Sequence, residues 1–181
     1  AGRSGAADAE EQLAALVGDA ALPGIVRATA LASLRDIATP ASLMTVQRAI
    51  GDGDPLVRRA AAGFLDRIES GRRYALGAPL LGDPVRDVRI EAALALASEP
   101  RQGLSPEQTL RLDKAIGEYE AVQRVNAERP ESDLNLGLLH AALASPGKAE
   151  AAYRTAIQKD PTFVPAYVNL ADLARSRGQD S

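Results

Sequence analysis

An all-α superhelix, a right-handed solenoid of stacked helix pairs, is the fold this sequence predicts, on three observations. Composition is the first. Of the 181 residues 46% are apolar, yet aromatics are only 3% and Trp is absent. Much of the apolar content is Ala and Leu, both good helix formers. Small side chains let helices approach closely, so many helices are needed to bury enough surface. The second observation is self-similarity at 31 residues through the first hundred positions, and the third is a change to a 34-residue spacing afterwards. Fixed periods of this length mark stacked helical repeats. The length suits two small arrays.

Residues 1–8, beginning Ala1-Gly2-Arg3-Ser4-Gly5, read as a flexible lead-in. Three repeats then fill 9–100. Val26-Arg27, Val57-Arg58 and Val88-Arg89 recur at intervals of 31, followed by Ala30, Ala61 and Ala92 and then Leu34, Leu65 and Leu96. Offsets of 0, 4 and 8 fall on one face of a helix. A shorter apolar segment ending in Gly-Asp precedes each of these helices: Leu13, Leu16 and Val17 before Gly18-Asp19, Leu43, Val46 and Ile50 before Gly51-Asp52, and Leu80-Leu81 before Gly82-Asp83. Glycine there suits a left-handed helix end. Asp54-Pro55 and Asp83-Pro84 then announce the second helix, with Asp as cap and Pro at the first helical position, and Thr39-Pro40 opens another helix in the same way. The first copy offers Leu22-Pro23-Gly24 in place of Asp-Pro.

Residues 101–127 form a bridging helix and 128–181 a second array. Ser105-Pro106-Glu107-Gln108 has the spacing of a capping box, and Leu112, Ile116, Tyr119, Val122 and Val125 fall on one face of the helix it starts. Beyond Pro130, Gly137 and Ala149 are small where two helices would cross, and Tyr153 fills the space beside them. Pro161 stops the helix that carries Tyr153. The chain ends before any helix that would pair with 165–177, which predicts Tyr167, Leu170, Leu173 and Ala174 partly uncovered. A continuation of the chain, or a second copy at this edge, is the expected cover.

The pattern Asp-Pro-x-Val-Arg-x-x-Ala-Ala at 54–62 resembles the short HEAT-like repeats of bacterial proteins. That resemblance implies a polar ladder between neighbouring units, with Arg27, Arg58 and Arg89 stabilising the stack; the alternative is a row of anion-binding arginines. The second array resembles tetratricopeptide repeats: Leu136-Gly137 is the family's pair, and Ala149, Tyr153, Ala156 and Pro161 follow that Gly at 12, 16, 19 and 24 residues. Ala115 and Tyr119 give a preceding half-repeat, and Leu170-Ala171 a following one. Asp133 departs from the family at its aromatic position, and His140 stands where Tyr is usual. The resemblance implies a groove that accepts a peptide, with Asn135 and Asn169 able to donate to and accept from its backbone. Glu131, Leu138, Ala142, Asp172, Arg175 and Ser176 would line the same groove. In the order of its parts the chain also resembles the C-terminal region of bacterial multihaem cytochrome-like proteins, although it has no Cys-x-x-Cys-His motif. This implies a scaffold docking a redox partner in the periplasm; without that parent the cytoplasm is expected.

Several functions are disfavoured. A net charge of −3 with interspersed signs offers no nucleic-acid arm. The lack of Cys removes disulfides, thiolate ligands and a thiol nucleophile. No apolar run approaches the roughly 20 residues that span a bilayer. His140 is the only histidine and falls at a packing position, so neither a general base nor a metal cluster is expected. Gly51-Asp52-Gly53-Asp54 lacks the closing Glu of a calcium loop and reads as a turn with a cap. The expectation is a non-enzymatic scaffold without cofactor, binding a protein or peptide on its concave surface. A docking module of an electron-transfer protein and a HEAT-type lyase are the alternatives.

Overall fold

The computed structural model describes residues 2–102 and 104–178, with side chains from Asp8 onward. Ala1 of the expected lead-in, Gly103 of the turn after Pro100 and residues 179–181 lie outside the described residues. The chain is an all-α solenoid with ten α-helices and no strand among the described residues. It forms two compact units, Ala1–Ala115 and Ile116–Ser181. The division falls inside the helix expected to bridge 101–127.

The first unit contains α1 (Gly2–Gly18), α2 (Gly24–Asp36), α3 (Ser42–Ile50), α4 (Pro55–Phe64), α5 (Arg72–Gly77), α6 (Arg86–Leu96) and the start of α7 (Pro106–Val125). Helix α1 already runs from Gly2, so most of the expected lead-in 1–8 is helical backbone. Helices α2, α4 and α6 carry the 31-residue pattern, and each packs on the next. Val57, Ala61 and Leu65 are wholly buried, as are Val88, Ala92 and Leu96. Each large side chain so buried contributes about 1.5–3 kcal/mol of transfer free energy. Ala30 and Leu34 are buried in the first copy, but Val26 is 41% exposed. All three valines lie in the first turn of their helices, but the turn before Val26, counted from Asp19, is two residues longer than those counted from Asp52 and Asp83.

The turns differ from expectation in four places. Gly51 ends α3 at φ −97°, and among the described glycines only Gly71 and Gly178 have positive φ, so the left-handed ends expected at Gly18, Gly51 and Gly82 do not form. Asp54 does cap α4, accepting from the Leu56 amide at 2.8 Å with Pro55 at the first helical position. Asp83-Pro84 does not repeat this, because α6 starts at Arg86 without a side-chain cap. The 31-residue period makes Asp83 the partner of Asp52, not of Asp54, and both Asp side chains accept the amide two residues on, at 2.8 Å. Helix α3 starts at Ser42 instead of beside Thr39-Pro40, and the Thr39 hydroxyl donates to Glu10 of α1 at 2.8 Å. The segment ending in Leu80-Leu81 is a short helix and then a 3₁₀ stretch, Ala78–Gly82, broken where Pro79 has no amide to donate.

Helix α7 opens with a reciprocal capping box. The Ser105 amide donates to Gln108 Oε1 at 2.8 Å, and the Gln108 amide donates to Ser105 Oγ at 3.2 Å. Leu112 and Ile116 are buried as their face predicts, but Val122 and Val125 are 36% and 79% exposed. The apolar face is therefore covered over its first half only.

The second unit completes α7 and adds α8 (Pro130–Ala142), α9 (Pro146–Lys159) and α10 (Val164–Ser176). Its core is small: Leu139, Ala149, Tyr153, Ala156 and Ala166, with Ile116. A Cβ on Gly137 would stand 2.2 Å from the Tyr153 ring, so only hydrogen fits where α8 crosses α9. Ala144 turns the chain between these helices at φ 51°, in the left-handed region. Asp133 pairs with Lys159 of α9, which also donates to the Ala127 carbonyl. Tyr167 is 45% exposed, and Leu170, Leu173 and Ala174 are half-buried.

Candidate functional site

The arginines at 31-residue spacing separate into rungs and one exception. Arg58 forks onto Asp83, with Nε to Oδ2 at 2.6 Å and Nη2 to Oδ1 at 3.0 Å, and its Nη1 donates to the Asp52 and Gly53 carbonyls at 2.8 and 3.1 Å. Arg89 donates in the same manner to the Asp83 and Pro84 carbonyls at 2.7 and 3.1 Å. Arg27 reaches Asp52 with both terminal nitrogens, at 2.6 and 2.8 Å. The forks hold Asp52 and Asp83 below the usual carboxylate range, and Arg58 is raised by its hydrogen bond to Asp83. Asp83 is buried. Arg58 thus directs four of its five N–H groups into the stack.

Side chains of α2 and α4, with Glu91 of α6, line a groove of about 410 Å³. Ile25 and Leu56, 31 residues apart in the first turns of α2 and α4, are 59% and 44% exposed at its edge. Its floor is made of small residues, including Ala28, Ala32, Ala60 and Gly63. A Cβ on Gly63 would come 3.3 Å from Glu91 Oε1, so the missing side chain leaves room for that carboxylate to lie across α4. Charges flank the floor: Arg59 faces Glu91 at 3.4 Å, and Arg35 pairs with Asp66. The surface thus has exposed apolar residues, a floor of small residues and paired charges beside it.

The sequence reading did not single out this groove. Its signal was present one position before the first two Val-Arg pairs, where Ile25 and Leu56 stand, whereas Asp87 precedes the third. A period search that follows core positions passes over exposed apolar residues at the same spacing.

The residues expected to line a groove in the second unit fall on two touching helices. Glu131, Asn135, Leu138 and Ala142 are on α8, and Asn169, Asp172, Arg175 and Ser176 on α10. Leu138 is 46% exposed. One N–H of each amide is engaged: Asn135 Nδ2 donates to Gln123 Oε1 at 3.2 Å, and Asn169 Nδ2 to the Pro165 carbonyl at 2.8 Å. Arg175 pairs with Asp172 at 2.7 Å, and Ser176 donates to the Leu173 carbonyl. Glu131 lies 3.5 Å from Arg129. His140 is half-buried, and burial pushes it below the ordinary histidine value against the pull of Glu120. No group of three His, Asp or Glu is arranged for a metal among the described residues, and no described helix is long and apolar enough to cross a membrane.

Residues 13–97 match the family model described as HEAT repeats, a span of just under half the chain. No curated protein and no solved structure matches the chain. HEAT repeats are generally protein-interaction scaffolds and typically non-catalytic.

Proposed function

We propose that the chain is a non-catalytic scaffold that holds a segment of another protein in the groove of α2 and α4. The observation that carries this is the pair Ile25 and Leu56, exposed at equivalent positions of adjacent repeats over a floor of small residues. Two apolar anchors one repeat apart favour a ligand with two apolar side chains at matching separation, and the flanking ion pairs offer exchange partners for its charges. Affinity would come from burying the anchors, since the exposed ion pairs contribute little by themselves.

The second unit supports an additional contact. Leu138 of α8 and Val168 of α10 are 46% and 52% exposed, and the tetratricopeptide-like spacing places Asn135 and Asn169 beside them. Each amide nitrogen uses one of its two N–H groups, which leaves the other N–H and the carbonyl oxygen for a peptide. A redox-docking role would use these same surfaces, and the visible spectrum of the full-length protein distinguishes it.

The test is selection of peptides from a displayed random library against the chain, then titration of the winners against Ile25→Ser, Leu56→Ser and the double variant Asn135→Ala/Asn169→Ala. Each serine variant is expected to weaken binding about tenfold, the loss of one well-buried apolar anchor. Selected peptides that bind both serine variants as tightly as the unaltered chain would place the site elsewhere.

A further inference from the structure

The 31-residue period carries the row of groove residues one helix further than the two apolar anchors. Ile25, Leu56 and Asp87 are each the second residue of their helix, α2, α4 and α6, and one period separates each from the next. One turn later Thr29, Ala60 and Glu91 are related in the same way. Residues four apart share a helix face. Each helix therefore offers one such pair at the groove. The pairs on α2 and α4 carry no charge, whereas both members on α6 are carboxylates. Helix α4 packs against both α2 and α6, so the row reads apolar, apolar, acidic along the stack.

The charges around this row are unbalanced in the same direction. Arg35 is paired with Asp66, and Arg59 is met at 3.4 Å by Glu91, which lies across α4 over Gly63. Asp87 is exposed, and among the described residues its carboxylate has no ion-pair partner. Arg86 precedes it, but neighbours in sequence do not share a helix face. Asp54 adds a further carboxylate at this edge. A Cβ on Gly24 would overlap it, so the bare glycine lets Asp54 rest on the first turn of α2, next to Ile25. Two cations, Arg35 and Arg59, thus stand against Asp54, Asp66, Asp87 and Glu91.

We infer that the segment held in the groove carries two apolar side chains followed by a lysine or arginine, laid along the stack so that the cation meets Asp87 on α6. This rests on the α2–α4 groove being the binding site. Packed helices stand about 8–10 Å apart, so the cation lies one such step beyond the second apolar contact. The apolar pair supplies affinity, and the carboxylates of α6 fix the direction in which the segment lies and reject acidic residues at that end. Asp87 is then a specificity-determining residue, at the position where the two preceding repeats carry Ile25 and Leu56.

The experiment uses the full chain and the peptides that a displayed random library yields against it, each synthesised again with its basic residues changed to glutamine. A lysine or arginine to one side of two apolar residues is expected in the selected peptides. Affinity should fall about threefold to fivefold in Asp87→Asn, and by a similar factor on the glutamine change, with no further loss when the two are combined. Asp87→Leu, which gives α6 the kind of residue that α2 and α4 carry, should select a third apolar residue in place of the cation. Peptides weakened by Ile25→Ser and Leu56→Ser but indifferent to Asp87→Asn would overturn this inference and leave the groove standing. Peptides that none of the three changes affects would overturn both. A loss in Asp87→Asn that is equally large for the glutamine peptides would assign the effect to a weakened α6 and likewise overturn the inference.

Discussion

Between residues 13 and 97, neighbouring repeats are pinned to one another by forked arginine–aspartate pairs, whereas in the second unit the tightest fit lies inside one helix pair, where Gly137 admits the ring of Tyr153. The forks join residues 25 apart and so bind one repeat to the next. The glycine and the tyrosine sit on α8 and α9 of a single pair. One array is held in register by polar groups that must find their neighbour, the other by shape that two helices settle between themselves. Polar rungs thus join the repeats that carry α2, α4 and α6, while Ile25 and Leu56 on α2 and α4 stay exposed.

The largest expected effect is from Asp83→Ala. Its carboxylate is buried and takes two bonds from Arg58 and one from the Val85 amide. Removing it leaves the guanidinium uncompensated, at a cost of about 3 kcal/mol. Urea unfolding read by hydrogen exchange should show lost protection in α4 and α6 with α8 and α9 unchanged. Equal loss in both units would erase the contrast.

Gly137→Ala should cost about 2 kcal/mol, because its methyl would meet backbone-anchored aromatic carbon and not a flexible side-chain tip. Protection should fall in α8 and α9 this time and persist in α2 and α4. A variant as stable as the unaltered chain would mean that the crossing can open without penalty.

Acid should act on the two units in different ranges. Asp52 and Asp83 are held below the usual aspartate value by their arginines. The unfolded chain therefore binds their protons more readily, and the stability they supply is full above about pH 4 and lost as pH falls through their lowered values. His140 is lowered by burial. Its unfolded form also takes the proton first, so its contribution is full above about pH 6.5 and declines as pH falls toward the folded value. Unfolding free energy followed from pH 8 to 3 should weaken first in the second unit, and His140→Gln should remove that early slope. A slope unaltered in the variant would assign it to other groups.

Arg35→Ala should have the smallest effect, under about 1 kcal/mol, since Arg35 and Asp66 are 40% and 44% exposed at the side chain. A loss as large as that of Asp83→Ala would show that exposed and buried rungs act alike.

Much of this architecture is legible in the residues. Val57, Ala61 and Leu65, with their equivalents on α6, are buried because an offset of 4 repeated on a helix can face only one way. Gly137 and Tyr153 are legible because a residue without a side chain 16 positions from a large ring has few reasons to be there except a crossing. What escaped the reading is whatever depends on a neighbour. Val26 shares the Val-Arg pair of Val57 but is 41% exposed after its longer turn. Asp83-Pro84 looks like Asp54-Pro55, yet the fork from Arg58 commits Asp83 to another task. Val122 and Val125 keep the helical period of Leu112 and Ile116, but period alone does not supply a partner helix. The groove on α2 and α4 escaped for the same reason, since exposed Ile25 and Leu56 acquire meaning only when two repeats lie side by side.

The most direct measurement is the hydrogen-exchange footprint of a display-selected peptide on the full chain. Binding in the proposed groove predicts slowed exchange along α2 and α4, centred on the turns that carry Ile25 and Leu56, with α3 unaffected. Protection confined to α8 and α10, or to α3 and α1, would contradict the assignment of the first unit's outer face as the place where this scaffold holds its partner.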